Sequence, residues 1–221
     1  MKTSALIFDM DGTMIDSMPY HAKSWGEFCR LNGLDMAIEE VLRLTTGRTG
    51  TEAVRVLLGE MDDERALALL HQKEEDYRAL FAPVFREVAG FRRFERLARE
   101  RGLRTGVGTA GDRVNIAFAQ KHLAMDPWPA ATVGGDEVRS GKPEPDIFLE
   151  AARRLGVPPA ECIVFEDAPF GIEAARRAGM RAVALCTSHA AHELQGPHVI
   201  AQAPDYHALL AQDAARAALG L

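Results

Sequence analysis

Two aspartates stand two residues apart in Asp9-Met10-Asp11-Gly12-Thr13, directly after the apolar run Ala5 to Phe8. Carboxylates this close repel each other, so one must be protonated or both must be tied to a cation. That arrangement suits a carboxylate nucleophile beside a proton donor. Gly12 leaves the backbone free to turn tightly behind them. Glu166-Asp167 follows a second apolar run, Ile163 to Phe165, and adds hard oxygen ligands of the kind Mg²⁺ takes. Lys142, in the loop Ser140-Gly141-Lys142-Pro143, can set a fixed positive charge against an anionic nucleophile and a transferring phosphoryl group. Thr109 ends the run Leu103 to Gly108, and Ala110-Gly111-Asp112 leads into a helical pattern. A hydroxyl with free N–H groups at a helix start makes a phosphate cradle, and Asp112 can also be an ordinary N-cap there. Taken singly, these features read as a turn with solvated acids or a solvent-facing lysine. Their combination is what points to metal-assisted phosphoryl transfer.

The elements that must position these groups are legible as well. Short β-type runs at Ala5 to Phe8, Leu103 to Gly108, Cys162 to Phe165 and Ala182 to Leu185 look like fully buried strands. Helical patterns follow at Phe91 to Arg101, Val114 to His122, Asp146 to Leu155, Ile172 to Ala178 and Tyr206 to Ala218, and Gly102, Gly156 and Gly179 sit where C-caps belong. Strands alternating with amphipathic helices predict an α/β fold, a doubly wound parallel sheet covered on both faces. The stretch from Ser17 to Pro83 breaks the alternation with helical patterns at Tyr20 to Leu31, Glu52 to Leu58 and Glu64 to Leu80. It reads as a small all-helical cap domain, residues 17–83, inserted after the first strand of a core domain made of 1–16 and 84–221. Asp16 to Pro19 and Ala82 to Pro83 are the expected hinges.

Asp9-x-Asp11-Gly-Thr, Thr109, Lys142 and Glu166-Asp167, in this order and at these strand ends, resemble the four motifs of the haloacid dehalogenase superfamily. The insert resembles the helical cap of its β-phosphoglucomutase-like branch, and the likeness spans essentially the whole chain. The resemblance implies a Rossmann-like core and a two-step phosphoryl transfer. Asp9 would attack phosphorus, and Asp11 would protonate the leaving oxygen and then activate water. Mg²⁺ would sit on the Asp9 carboxylate, the Asp11 carbonyl, Asp167 and Glu166, while Thr109, Lys142 and the Ala110 and Gly111 backbone hold phosphoryl oxygens. His21, Trp25 and Lys73 resemble substrate-side cap residues of β-phosphoglucomutase. Arg48, in Thr46-Gly47-Arg48-Thr49-Gly50, is displaced from the mutase's phosphate-gripping arginine, and Gly50 takes that place. Gly111 and Asp112 likewise replace the hydroxyl and cationic side chains expected of a mutase. A mutase must grip a second phosphate, so hydrolysis of a sugar phosphate is expected, with the phosphosugar mutase as its alternative.

Gly106-Val-Gly108-Thr-Ala-Gly111 formally matches a dinucleotide fingerprint, with Asp136 as a ribose-binding acid. That reading leaves Asp9, Asp11, Lys142, Glu166 and Asp167 without a role, and a non-catalytic binding module leaves the aspartate pair unexplained. His189-x-x-His192 lacks the neighbouring carboxylate or thiol of a metal site and reads as loop.

With 47% apolar and 26% charged residues and a formal net charge of −6, the chain has the composition of a packed globular protein and no basic footprint for nucleic acid. Asp9 interrupts the first apolar run far short of a membrane span. Cys29, Cys162 and Cys186 are odd in number and far apart, as reduced thiols would be. A cytoplasmic protein is expected, a monomer or weak homodimer, with a small phosphorylated metabolite as its partner and Mg²⁺ as its cofactor.

Overall fold

The computed structural model describes residues 2–46 and 48–221; Gly47 of the Thr46 to Gly50 loop lies outside the described residues. Strands β1 (Ala5–Phe8), β2 (Arg104–Gly108), β3 (Ala131–Val133), β4 (Cys162–Glu166), β5 (Arg181–Leu185) and β6 (Val199–Ala203) form one six-stranded sheet. Its order is β3-β2-β1-β4-β5-β6, and every pairing is parallel. β1 is central, with Phe8 in register with Phe165 on one side and Val107 on the other. Asp9, Thr109 and Asp167 therefore emerge at one edge, where parallel sheets bind ligands.

Helices α1 (Met18–Leu31), α2 (Ile38–Thr45), α3 (Gly50–Leu58) and α4 (Asp63–Phe81) precede α5 (Phe91–Glu100). They are followed by α6 (Arg113–Leu123), α7 (Asp146–Leu155), α8 (Pro169–Arg177), α9 (Tyr206–Leu210) and α10 (Asp213–Leu219). Alternation along β1 sends Leu6 and Phe8 to one face, against Phe91, Phe94 and Tyr206, and Ala5 and Ile7 to the other, against Ile147, Ala151 and Ala175. With both faces covered, β1 and β4 contain no exposed position, which is why they read as continuous apolar runs.

Four elements differ from the sequence reading. β3 has only three residues, and β6 is a half-exposed edge strand whose apolar stretch is broken by Gln202, so neither presents a long buried run. α2 is an extra short helix whose buried side rests on Val41 and Thr45. The last helical pattern divides into α9 and α10 around Ala211 and Gln212. Gly102, Gly156 and Gly179 all take positive φ at helix ends, as expected.

Helices α1 to α4 pack around their own core of Trp25, Phe28, Val54, Leu57 and Leu70. The chain leaves and re-enters the sheet layer by two adjacent segments, linked by Asp16 N–H to the Arg86 carbonyl at 3.1 Å and by the Arg86–Asp16 ion pair at 2.6 Å. Among the described residues, no helix is long and apolar enough to cross a membrane.

Candidate active site

Asp9 N–H donates to the Phe165 carbonyl at 3.0 Å, which continues the β1–β4 ladder one residue past the strand and fixes where the carboxylate starts. The chain then turns: N–H groups of Thr13, Met14 and Ile15 all converge on the Met10 carbonyl, and Gly12 takes φ +74°. A Cβ at Gly12 would run into the Asp167 carboxylate, so glycine is required by space as well as by φ. Among the described residues the Asp11 carbonyl takes no hydrogen bond, although its neighbours Met10 and Gly12 do.

Lys142 is buried, with Nζ 2.5 Å from Asp9 Oδ1 and 2.8 Å from Glu166 Oε1. Burial alone would lower its pKa, but the two carboxylates outweigh that and hold it above the ordinary lysine value. Glu166 Oε2 accepts from the N–H groups of Asp167 at 2.8 Å and Ala168 at 2.7 Å, so both its oxygens are committed. Thr13 and Ser188 hydroxyls donate to Asp167. Burial pushes the Asp9 carboxyl up to about 8 against the pull of Lys142. Burial and the charges of Glu166 and Asp9 raise Asp167 well above the usual range. One lysine thus faces three buried acids, an imbalance that a cation would correct.

The Asp11 carboxylate turns away from this group into the helical insert. Its Oδ1 accepts from Ser17 Oγ at 2.6 Å and Tyr77 OH at 3.2 Å, and meets His21 Nε2 at 3.2 Å. Burial acts to raise its pKa, but His21, Ser17 and Lys73 outweigh it and hold the group below the ordinary aspartate value. Behind it, Lys73 Nζ lies 2.8 Å from both His21 Nδ1 and Glu74 Oε1, and 4.7 Å from the centre of the Trp25 ring.

The cleft between sheet edge and insert has a volume of about 130 Å³ and brings together all twelve residues singled out above: Asp9, Asp11, Thr109, Ala110, Gly111 and Lys142 with Glu166 and Asp167, and on the insert His21, Trp25, Arg48 and Lys73. Several differ from expectation in detail. Glu166 is held by three donors, so its carboxylate does not face the space between Asp9 and Asp167. The Gly111 N–H is already donated to Thr109 Oγ1 at 3.0 Å and is not free for a phosphate. Lys73 is neither a solvated helix residue nor a free cation, because it is 2% exposed and paired with Glu74. Trp25 is both part of the insert core and a wall of the cleft. Arg48 reaches the cleft with its Nε donated to the Leu44 carbonyl at 2.7 Å. A Cβ at Gly50 would meet Leu70 Cδ2 at 2.5 Å, so a side chain there would have to displace the end of Leu70.

The dinucleotide reading fails on geometry. Gly106 and Gly108 lie inside β2, where added Cβ atoms would meet Leu155 and Ile147 of α7, and Asp136 pairs with Arg113 at the surface. His189 Nδ1 meets the Asp167 carbonyl at 2.9 Å, while His192 is exposed.

Sequence reasoning missed Ser17, Glu74, Asn115 and Ser188. Tyr77 could have been found, since it stands one helical turn after Lys73. Ser188 and Asn115 have no such signal, because only folding brings them to Asp167 and Glu74.

Residues 3–179 match the family model described as "Hydrolase: haloacid dehalogenase-like hydrolase". The chain is 36% identical over 182 residues to the fructose-1-phosphate phosphatase YqaB of Escherichia coli (strain K12), covering 82% of this chain and 96% of that protein. It is 31% identical to the beta-phosphoglucomutase of Bacillus subtilis (strain 168), with 82% of each chain covered. A crystal structure of a hydrolase from Pseudomonas syringae superposes with a TM-score of 0.85 at 26% identity, over 95% of this chain and 97% of that one. A sheet edge that carries the ordered acid, hydroxyl and lysine motifs, a helical insert after the first strand, and a family match over most of the sequence all agree: this chain belongs to the haloacid dehalogenase-like hydrolases.

Proposed function

We propose that the chain is a Mg²⁺-dependent phosphatase that hydrolyses a small sugar-phosphate-like monoester through an aspartyl-phosphate on Asp9. The observation that carries this reading is the opposite orientation of two aspartates two residues apart. Asp9 faces Lys142 at 2.5 Å, whereas Asp11 faces the insert and three hydrogen-bond donors.

The donor set fits the metal. Among the described residues no three acidic or imidazole side chains converge on one point, because Asp11 and Glu166 are turned elsewhere. That leaves the carboxylates of Asp9 and Asp167 and the free carbonyl of Asp11. Mg²⁺ is commonly held by one or two carboxylates with substrate phosphate and water completing its octahedron. Glu166 is better assigned as the counter-charge that orients Lys142 than as a direct ligand. Bound there, Mg²⁺ would offset the carboxylate charge and polarise the phosphoryl oxygens.

An Asp9 carboxylate oxygen attacks phosphorus and the bond to the leaving oxygen breaks. Asp11 supplies that oxygen with a proton, and Lys142 and the Thr109 hydroxyl hold the phosphoryl oxygens. Water then attacks the aspartyl-phosphate, gives its proton to Asp11, and restores the Asp9 carboxylate as phosphate departs. The ionised state of Asp11 suits the second step; the first requires the proton it has gained, with the incoming phosphate dianion favouring it. Residues 17–83 act as the cap that covers these steps from water.

The likeness to a sugar-phosphate phosphatase over nearly that protein's whole length supports hydrolysis. The mutase reading is favoured by one feature, the His21, Lys73 and Trp25 set beside Asp11. Against it, Lys73 is neutralised by Glu74, and position 50, a glycine, offers no gripping side chain. The test is to incubate both anomers of glucose 1-phosphate with Mg²⁺ and a trace of bisphosphate primer, beside a panel of sugar phosphates, and to follow free phosphate and glucose 6-phosphate together. Phosphate release that needs Asp9 is the expected result. Conversion of the β anomer to glucose 6-phosphate, faster than phosphate appears, would overturn the hydrolase reading.

A further inference from the structure

The leaving-group side of the cleft contains a buried acid that the phosphoryl chemistry does not use. Glu74, on α4, lines the cleft, and its side chain is 10% exposed. Oε1 accepts from Lys73 Nζ at 2.8 Å and Oε2 from Asn115 Nδ2 at 2.7 Å. Asn115 Oδ1 in turn accepts from Arg78 Nη1 at 2.7 Å, so both ends of the amide are engaged and its orientation is set. A carboxylate has about four lone-pair directions, so after these two bonds Glu74 can still accept from hydroxyls in the cleft. Burial acts against its charge, but the Lys73 charge and the hydrogen bonds from Lys73 and Asn115 outweigh that and hold it below the ordinary glutamate value.

Charge on this side is balanced before any substrate arrives. Among the described residues, Lys73 and Arg48 as cations and Glu74 and Asp11 as anions line the insert side of the cleft together with the His21 ring, and the adjoining groove adds Arg113 with Asp112, Asp136 and His71. Lys73 therefore offers no net attraction to a second anionic group, and such a group would be desolvated beside the Glu74 carboxylate. Like charges brought together in a water-poor site repel with little screening. Past Glu74 and Asn115 the cleft borders a groove of about 490 Å³ that these two residues also line, so a leaving group of several carbons would pass directly over Glu74.

Resting on the phosphatase reading above, we infer that Glu74 selects the leaving group: it accepts hydrogen bonds from the hydroxyls of an uncharged polyol and rejects phosphomonoesters that carry a second anionic group. Specificity of this kind comes from the disfavoured contact as much as from the favoured one.

A matched pair tests it. Sorbitol 6-phosphate and 6-phosphogluconate share a six-carbon chain and differ at C1, a hydroxymethyl in one and a carboxylate in the other. The wild-type protein with Mg²⁺ should prefer sorbitol 6-phosphate in kcat/KM by about tenfold or more. In Glu74→Gln the amide oxygen can still accept from Asn115, and the preference should fall by about tenfold, mainly through a lower KM for 6-phosphogluconate. Glu74→Asp keeps the charge but shortens the reach to Asn115, and should retain the preference. An equal loss on both substrates in Glu74→Gln, with the ratio unmoved, would mean that Glu74 only braces Lys73 and Asn115. Equal handling of the two substrates by the wild type would overturn the proposal without any variant. p-Nitrophenyl phosphate separates the two levels: if the wild type hydrolyses neither it nor either six-carbon ester, the phosphatase reading fails and Glu74 selection with it. If it is hydrolysed but the ratio does not respond to the Glu74 charge, only the selection fails.

Discussion

Lys73 Nζ lies 2.8 Å from His21 Nδ1, and the far nitrogen of the same ring lies 3.2 Å from Asp11 Oδ1. An ammonium group can only donate, so Nδ1 accepts and the ring proton must sit on Nε2, facing Asp11. A buried lysine thereby fixes the tautomer of the histidine that steadies the proposed acid–base. The ring is also held flat against Tyr77, with centroids 3.7 Å apart.

His21→Ala and Lys73→Ala are expected to lower kcat by about 10²-fold, the lower end of what a positioned acid–base contributes. KM should change much less. Lys73→Ala should act through the histidine, so the double variant should lose little more than either single one. Steady-state kinetics on any turned-over monoester decide it. An effect confined to KM would show that these residues only hold substrate.

Asp9→Asn should fold and transfer no phosphoryl group, because an amide is neither nucleophile nor anionic ligand. Asp11→Asn should still form the aspartyl-phosphate on a substrate with a good leaving group, yet hydrolyse it about 10²-fold or more slowly. Quenching the Asp11→Asn reaction and assaying acid-stable, hydroxylamine-labile phosphate on the protein checks this. If Asp9→Asn carries the same label, the nucleophile is misassigned.

Without metal, the protein should lose stability as pH rises. The folded state raises the Asp9 carboxyl from 3.8 to about 8 and raises Asp167 as well, so the unfolded chain gives up these protons first. The resulting stability is complete below about pH 4 and is lost as pH climbs toward 8. Asp11 is shifted downward, so its contribution changes only at the acid end, below this window. Melting curves in excess chelator should show Tm falling from pH 5 to pH 8, a flatter profile for Asp9→Asn, and a larger stabilisation by Mg²⁺ at pH 8 than at pH 5. Activity should disappear in the same chelator and return with Mg²⁺.

Gly171 looks like an ordinary helix residue but touches the site. A Cβ there would occupy the space of the Glu166 carboxylate. Gly171→Ala should therefore displace Glu166 from Lys142, cost about 1–3 kcal/mol by overpacking, and depress kcat although the residue meets no substrate. Wild-type stability and turnover in this variant would show that Glu166 can move without consequence.

Asp9, Asp11, Thr109, Lys142 and Asp167 were readable because each stands at the end of a buried strand or in a loop, where chain order alone sends it to one edge of a parallel sheet. Residues at such ends are placed by backbone pairing, and pairing is what apolar periodicity reports. The edge strands escaped because β3 has only three residues and β6 is half-exposed, so they carry little of that periodicity.

Local pattern and order along the chain carry the family, the α/β core and the helical insert, and they place the proposed phosphoryl-transfer groups at strand ends and in loops. Tertiary structure alone decided where the charges are matched. It turned Glu166 onto Lys142, closed Lys73 against Glu74, and brought Asn115 from the core to Glu74 across 41 residues of chain. The physical reason is that a side chain's charge becomes meaningful only with its partner and its burial, and both are set by distances between elements that no spacing along the chain encodes.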